Sequence, residues 1–185
     1  MKTYFAQGFS LVELLLTLVL AAILLSFAIP SMSDLIDGAQ RRSSIHDLLS
    51  FMSFARHYAI DSSRIVTVCP LDETNHCGND WNGPLSLFVD PYNERGLSAA
   101  THILRTLPSP ETGTLKARSL HSSYFQYQPS GLIYSDLGNI TWCPENRDRT
   151  QAAQLIISRG GRIRIAPDSD GDGIPEGSDG APVDC

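Results

Sequence analysis

Hydrophobic residues are distributed unevenly along this chain, and the densest run lies near its beginning. From Phe9 to Ile29 the sequence is almost wholly apolar, and Glu13 is the one charged residue in the run. About 20 apolar residues at 1.5 Å each cross the hydrocarbon core of a bilayer, so the run predicts a transmembrane helix over residues 9–30. A cleaved secretory signal is the competing interpretation, but its apolar region is usually shorter and carries no acid.

Beyond Pro30 the pattern becomes that of an amphipathic helix. Apolar residues recur at three- and four-residue steps as far as Ala59, while polar residues crowd the opposite face. The period continues the first helix and gives about 50 helical residues in total. Pro30 lacks an amide hydrogen and is expected to end or kink the first part. We therefore predict an amphipathic continuation over residues 31–62 that packs one face on a sheet.

From Arg64 onward the pattern changes to short runs of alternating, β-branched and aromatic residues, separated by turns rich in Gly, Pro, Asn and Asp. Such runs are typical of antiparallel strands. The predicted strands are 64–69, 85–90, 102–107, 124–128, 132–135, 140–143, 154–158 and 162–166. The expected fold class is α+β, in which a long N-terminal helix, transmembrane in its first half, packs on an antiparallel, sandwich-like β head over residues 63–185.

The composition is that of one folded head attached to the apolar segment. The chain has 185 residues, of which 42% are hydrophobic and 18% charged, and this balance fits a folded rather than a disordered chain. The net charge of −6 argues against a generic nucleic-acid-binding protein. The five histidines form no metal-binding pattern, and nucleotide-binding and hydrolase motifs are absent from the sequence. We therefore expect a protein that is not an enzyme.

The four cysteines indicate disulfides. Cys69, Cys77, Cys143 and Cys185 have neither CxxC spacing nor histidines at zinc-site distances. An even number of cysteines in an exported domain is typical of an oxidising compartment. Three pairings are possible. We favour Cys69–Cys77, which would close one loop, and Cys143–Cys185, which would tie the C-terminal segment to the fold.

Glu13 is the unusual residue of the apolar run, because a carboxylate in hydrocarbon costs roughly 2.5–3.5 kcal/mol and needs a partner or a function. The leader MKTYFAQG, followed by Phe9 and by Glu13 four positions later, resembles the class III signal of type IV pilins and pseudopilins. The resemblance implies that a prepilin peptidase removes residues 1–8 by cutting after Gly8 and methylates Phe9. It also implies that Glu13 pairs with the terminal ammonium of a neighbouring subunit. The alternative is that Glu13 lies at the membrane surface.

Later segments narrow the family. Val-Cys-Pro at 68–70, Leu-Phe-Val-Asp at 87–90 and the run at 155–166 resemble the GspH/FimT group of minor pilins and pseudopilins. The resemblance implies a structural subunit in the priming or tip complex of a type IV pilus, with other minor and major pilins as partners. It also implies a single-pass protein of the bacterial inner membrane with a periplasmic C-terminal domain, which reaches the cell surface in the pilus. The H-type minor pseudopilin of type II secretion is the alternative.

A basic cluster precedes the C-terminal segment. On a strand Arg162 and Arg164 project from the same face, and Arg159 lies close to them in the turn. The Gly-Arg-x-Arg sequence at 161–164 resembles a motif with which some FimT-type members bind DNA during natural transformation. DNA binding is therefore an alternative function. The acidic residues that follow would repel phosphate, and solvated or internally paired arginines are the competing interpretation.

The C-terminal segment has the spacing of a calcium-binding loop. Its ligands at positions 1, 3, 5, 7, 9 and 12 would be Asp168, Asp170, Asp172, Ile174 through its carbonyl, Glu176 and Asp179. Gly173 at position 6 allows the sharp turn that such a loop needs. The segment resembles thrombospondin type 3 and dockerin-like loops, which need no flanking helices. Calcium is the candidate cofactor, and a solvated acidic tail is the alternative.

Overall fold

The computed structural model describes residues 10–98, 101–119 and 123–185, apart from the side chains of residues 27–35 and 37. The chain divides into two units, one ending at Gly38 and the other running from Ala39 to Cys185. One helix, α1 (Leu11–Ser62), begins in the first unit and ends in the second. Its 52 residues confirm the prediction of a single long helix, and it continues through Pro30 instead of ending there.

Two antiparallel sheets follow the helix. Within the described residues the strands are β1 (Val66–Pro70), β2 (Leu85–Val89), β3 (Ile103–Leu107), β4 (Thr114–Ser119), β5 (Phe125–Tyr127), β6 (Gly138–Cys143), β7 (Ala153–Ile157) and β8 (Ile163–Ile165). The first sheet has the order β3-β2-β1-β5 and the second the order β4-β6-β7-β8. A short 3-10 helix, Arg149–Gln151, lies between β6 and β7. This arrangement confirms the predicted α+β class with an antiparallel head.

The second half of α1 shares one apolar core with both sheets. The helix buries one face, with residues spaced three or four apart, at Ile45, Leu48, Met52, Ala55 and Ala59. The same core cluster takes residues from the first sheet and from the second, among them Val68, Leu87, Ile140 and Leu155. Because burial of an apolar stripe is what stabilises an amphipathic helix, the predicted packing of this half on a sheet is confirmed.

One predicted strand is wrong. The segment 132–135 forms only a short return against β5, in which Ile133 bridges Tyr127. Gln126 donates its amide at 3.0 Å to the side-chain Oγ of Ser135 instead of to a backbone carbonyl. A side chain that takes the place of the backbone acceptor ends the ladder, so a regular strand does not form there.

Strand β4 is missing from the prediction. It pairs with β6 along all six of its residues and forms an edge of the second sheet. Only Leu115 and Ala117 are apolar, and they alternate with polar residues, of which Lys116 and Arg118 are exposed. An edge strand needs only one weakly apolar face. Its sequence therefore shows only a short alternation of apolar and polar residues and no enrichment in β-branched residues.

A buried polar network lies on the face of the first sheet away from the core, just after β2. The carboxylate of Asp90, which is 1% exposed, accepts hydrogen bonds from Thr67 Oγ1 at 3.0 Å and from Gln126 Nε2 at 3.1 Å. It also accepts from the backbone amides of Glu94 at 2.8 Å and Arg95 at 2.9 Å. The carboxylate therefore holds the loop after β2 against the sheet.

We predict that Asp90→Ala lowers the free energy of unfolding by about 3 kcal/mol or more, because it removes the acceptor of the buried Thr67 hydroxyl and of the Glu94 and Arg95 amides. Chemical denaturation of the purified protein measures the change. Asp61→Ala is the matched control, since Asp61 is exposed near the end of α1, and it should change the value by no more than about 0.5 kcal/mol. Equal effects of the two substitutions would contradict a role for the network in stability.

Candidate functional site

The start of helix α1 is capped by Ser10. Its Oγ accepts the amide of Glu13 at 3.2 Å, and its carbonyl accepts the amide of Leu14 at 3.1 Å. Ser-x-x-Glu is the spacing of a capping box, and an acid in the first turn also interacts favourably with the helix dipole. Our sequence prediction missed this second role of Glu13, although the spacing indicates it. Gly8 and Phe9 lie outside the described residues, so cleavage, methylation and charge pairing stay predictions.

The first part of α1 exposes a large apolar surface. Eleven large aliphatic side chains from Leu11 to Leu25 are between 49% and 74% exposed, and we call them the apolar helix surface. The hydroxyls of Thr17 and Ser26 donate to helix carbonyls three residues earlier, at 2.8 and 2.7 Å, so they offer few free polar groups there. A contiguous apolar surface of this size marks a site of association.

Residue 9 and the side chains of residues 27–30, which belong to the predicted transmembrane segment 9–30, lie outside the described part of the chain. The described residues include no helix that is long and apolar enough to cross a membrane.

Both predicted disulfides are present. Cys69–Cys77 closes a short loop after β1, with Cα atoms 5.4 Å apart, and Cys143–Cys185 ties the C-terminal segment to β6, with Cα atoms 5.6 Å apart. All four cysteines are used in these two bonds. By the loop-entropy model the two bonds contribute about 2.5 and about 4 kcal/mol.

The loop closed by the first disulfide is ordered around Asp72. Its Oδ1 accepts the hydroxyl of Thr74 at 2.7 Å and the amides of Thr74 and His76 at 2.8 and 3.0 Å. The Thr74 hydroxyl, followed by the His76 amide, holds the pKa of Asp72 below its usual value. Because the folded-state pKa is lowered, this contribution to stability is present at neutral pH and is lost as pH falls through the folded-state value.

The turn between β7 and β8 carries the predicted basic cluster. Arg159, Arg162 and Arg164 are all exposed, and the half-buried Ile163 between the last two packs against the core. The two flanking arginines therefore lie on the solvent side of β8, as predicted. DNA binding by the cluster stays a prediction.

This turn is fixed by a close backbone approach. Gly161 is buried, has a φ of +72°, and lies so near the carbonyl of Gly131 that a Cβ atom would overlap it. Arg56 of helix α1 donates its Nε to the Gly131 carbonyl at 2.9 Å and a terminal nitrogen to the Gly160 carbonyl at 3.4 Å. Arg56 lies 75 and 104 residues from these acceptors, so no local pattern in the sequence indicates its role.

The C-terminal segment brings four predicted ligands together. Asp168, Asp170, Asp172 and Glu176 each offer one carboxylate oxygen, and these oxygens lie within 4.8 Å of one another. We call these four residues the carboxylate cluster. The three aspartates are exposed, whereas Glu176 is buried. The structure thus confirms the proximity of these four side chains, and calcium binding itself stays a prediction.

The other two predicted ligands are Asp179 and the carbonyl of Ile174. The carboxylate of Asp179 is not part of the cluster, because its Oδ1 accepts the amide of Ala181 at 3.1 Å in the following turn. The amide of Ile174 donates to Asp172 Oδ1 at 2.7 Å, and the role of its carbonyl as a ligand stays a prediction. The spacing rule for position 12 fails here because the chain turns back directly after Glu176.

The segment after Glu176 packs against the head. Val183 is 2% exposed, and its carbonyl accepts Arg149 Nε at 2.8 Å. Lys116 Nζ of β4 donates to the carbonyl of Cys185. Glu176 itself pairs with Pro182 in an isolated bridge, so the returning chain buries its side chain.

A family model described as "Type II transport protein GspH" matches residues 44–161. Two crystal structures of the type IV minor pilin FimU from Pseudomonas aeruginosa resemble the chain, at 21% and 22% identity and with a TM-score of 0.52 in each case. Each likeness covers 68% of this chain, and they cover 87% and 92% of the FimU chains. No curated protein sequence matches the chain.

Since the GspH model matches more than half of its residues, the chain belongs to the GspH family of pilin-like proteins. The likeness to FimU shows that the head has the fold of a pilin of this group. The predicted GspH/FimT resemblance is therefore confirmed. Membership implies a periplasmic or pilus protein that contacts other pilins in a pilus or pseudopilus.

We predict that Gly161→Ala lowers the free energy of unfolding by about 2–4 kcal/mol, because the new Cβ meets the Gly131 carbonyl in a left-handed backbone conformation. Gly160→Ala is the matched control one position earlier. Gly160 is exposed and its Cβ would meet only Ser158 Oγ at 3.9 Å, so this change should stay within about 0.5 kcal/mol. Thermal or chemical unfolding compares the two, and a tolerated Gly161→Ala would contradict the close approach.

Proposed function

We propose that this chain is a minor pilin, a structural subunit that joins the priming or tip complex of a type IV pilus. Family membership supports a place in a filament of pilin-like subunits. The apolar helix surface is the observation that carries the proposal, because so much exposed aliphatic surface is unfavourable in water until other apolar surfaces cover it.

The distribution of these side chains favours several partners over one. Leu14, Leu15 and Leu16 are consecutive and all more than half exposed, so apolar groups face every direction around this part of the helix. A helix that is hydrophobic all round needs cover on all sides. Burying the exposed halves of the eleven side chains is worth roughly 10 kcal/mol, at about 1 kcal/mol each. The helices of neighbouring subunits in a filament supply such cover.

Burial of the apolar helix surface between neighbouring helices would also remove water from the carboxylate of Glu13. It is exposed in the first turn of α1, within the apolar helix surface. A carboxylate buried between helices is strongly unfavourable unless an opposite charge meets it. The terminal ammonium of an adjacent subunit, released when prepilin peptidase cuts after Gly8 and then methylated at Phe9, is the partner that we propose.

The disulfides support a compartment outside the cytoplasm for the head. Both bonds close within the head, and bonds of this kind persist in oxidising surroundings such as the periplasm. This placement agrees with family membership, which implies a periplasmic or pilus protein. We therefore propose that the head is exposed to other pilins on that side of the inner membrane.

The second candidate is the H-type minor pseudopilin of type II secretion. The description of the family model, which names type II transport, favours it. The same apolar helix surface suits the core of a pseudopilus as well as that of a pilus. The experiment must therefore separate the two filament systems.

Deletion of the gene tests the role of the protein. We expect surface pili to be lost and protein secretion to be unchanged, because a priming subunit starts filament growth, and the wild-type gene should restore the pili. Electron microscopy counts the pili and assays of exported enzymes measure secretion. Normal piliation with lost secretion would assign the protein to the type II secretion system instead of the pilus. If neither piliation nor secretion changed, both candidate functions would be contradicted. Transformation of piliated cells that carry Arg162→Ala with Arg164→Ala tests the DNA-binding alternative separately.

The charge of Glu13 is tested by Glu13→Gln. Glutamine keeps the hydrogen-bonding capacity of a capping box but cannot pair with an ammonium, so incorporation into filaments should fall roughly 100-fold. Immunoblots of sheared filaments measure incorporation, and the mass of the mature chain shows that cleavage still occurs. Ser10→Ala is the control, because it removes the cap and keeps the charge, and it should assemble. Normal incorporation of Glu13→Gln would contradict the proposed charge pairing and leave helix capping as the role of Glu13.

A further inference from the structure

We propose that the carboxylate cluster binds a calcium ion. Asp168, Asp170, Asp172 and Glu176 place one carboxylate oxygen each within 4.8 Å of the others. Ionised oxygens this close repel one another unless a cation lies among them. The proposal concerns the head and does not rest on the role of the protein in a filament.

Glu176 provides a second and independent observation. Its side chain is 8% exposed, and it belongs to the same group of oxygens as the three exposed aspartates. One oxygen, Oε2, accepts the amide of Ser169 at 2.6 Å, while the other, Oε1, is buried and has no hydrogen-bond partner. A buried carboxylate oxygen without a partner is strongly unfavourable. A cation among the four carboxylates supplies that partner.

The chemical type of this group distinguishes it from the other buried polar atoms without partners. Among the described residues the remaining ones belong to hydroxyl or amide groups, at Tyr127, Asn139, Gln151 and Gln154. A neutral oxygen is satisfied by one water molecule or by a small adjustment. An ionised oxygen next to three further carboxylates needs positive charge. The unpartnered oxygen of Glu176 is therefore the one in this group that favours a metal ion.

The spacing and the donor type favour calcium. All four donors are carboxylate oxygens, which are typical ligands of hard cations. Calcium binds oxygen at roughly 2.3–2.6 Å, so oxygens on opposite sides of the ion stand roughly 4.6–5.2 Å apart, and four oxygens that all lie within 4.8 Å of one another fit around such an ion. Magnesium demands near-ideal octahedral geometry, keeps several waters and usually takes only one or two carboxylates, whereas this cluster offers four.

Backbone amides hold the loop in place around its first aspartate. Gly171 and Gly173 have φ angles of +81° and +88°, and their amides donate to Asp168 Oδ1 at 2.8 Å and Oδ2 at 2.9 Å. The amide of Asp172 donates to Asp170 Oδ1 at 3.2 Å. A carboxylate oxygen accepts more than one contact, so these amides leave lone pairs for a cation. Little ordering of the loop remains to be done when the ion binds.

Titration of the full-length protein, purified in detergent and stripped with a chelator, tests the proposal. Calcium chloride is the probe, and magnesium chloride at the same concentration is the comparison. We expect measurable binding heat for calcium and a rise in Tm of roughly 5–10 °C when calcium exceeds its Kd about 100-fold. Magnesium should give a smaller rise. Absence of both heat and a Tm shift with calcium would overturn the proposal.

Charge-neutralising substitutions locate the site. Asp170→Asn and Glu176→Gln each remove a cluster carboxylate, and each should weaken calcium binding at least 10-fold. Asp179→Asn is the matched control, because it removes the same charge three residues beyond Glu176 and outside the cluster, and it should leave the affinity unchanged. Far-UV circular dichroism shows that the variants are folded, and the exposed Asp170 keeps the test valid if Glu176→Gln fails to fold. Equal losses for Asp170→Asn and Asp179→Asn would reject a defined site in favour of diffuse attraction.

Discussion

The aliphatic side chains that α1 leaves uncovered between Leu11 and Leu25 are the constraint on which the rest of this protein depends. One helix carries two kinds of surface. Its later half buries a single stripe in the core that it shares with both sheets, and its earlier half is apolar in every direction. The core of the head lies entirely beyond Ala39, so it includes no side chain of the earlier half. The earlier half needs other molecules to cover its apolar side chains.

Much of the fold can be predicted from the sequence where the signal is local. Alternation and β-branched residues predict β1, β2 and β7, whose residues are almost all buried. The edge strand β4 lacks that enrichment and escapes prediction. The prediction of a strand at 132–135 fails for the opposite reason. This segment has the composition of a strand, but the Ser135 side chain replaces a backbone acceptor. Local composition does not reveal such a replacement.

In the candidate sites, too, the features set by neighbouring residues can be predicted and those set by distant residues cannot. Spacing alone predicts that Asp168, Asp170, Asp172 and Glu176 converge, because all four lie on one short loop. It does not predict the burial of Glu176, which depends on the return of the chain at Pro182. The network around Asp90 is invisible in the sequence, since its hydrogen-bonded side chains lie as many as 59 residues apart. Contacts across that distance exist only once the sheet has formed.

The bond between Cys143 and Cys185 has a mechanical consequence. Its partners are 42 positions apart, and β7, β8 and the carboxylate cluster lie between them along the chain. Tension applied between helix α1 and Cys185 passes directly across the sulfur–sulfur bond, so the enclosed polypeptide carries none of it. Pulling along that path cannot stretch this part of the head while the covalent bridge remains intact.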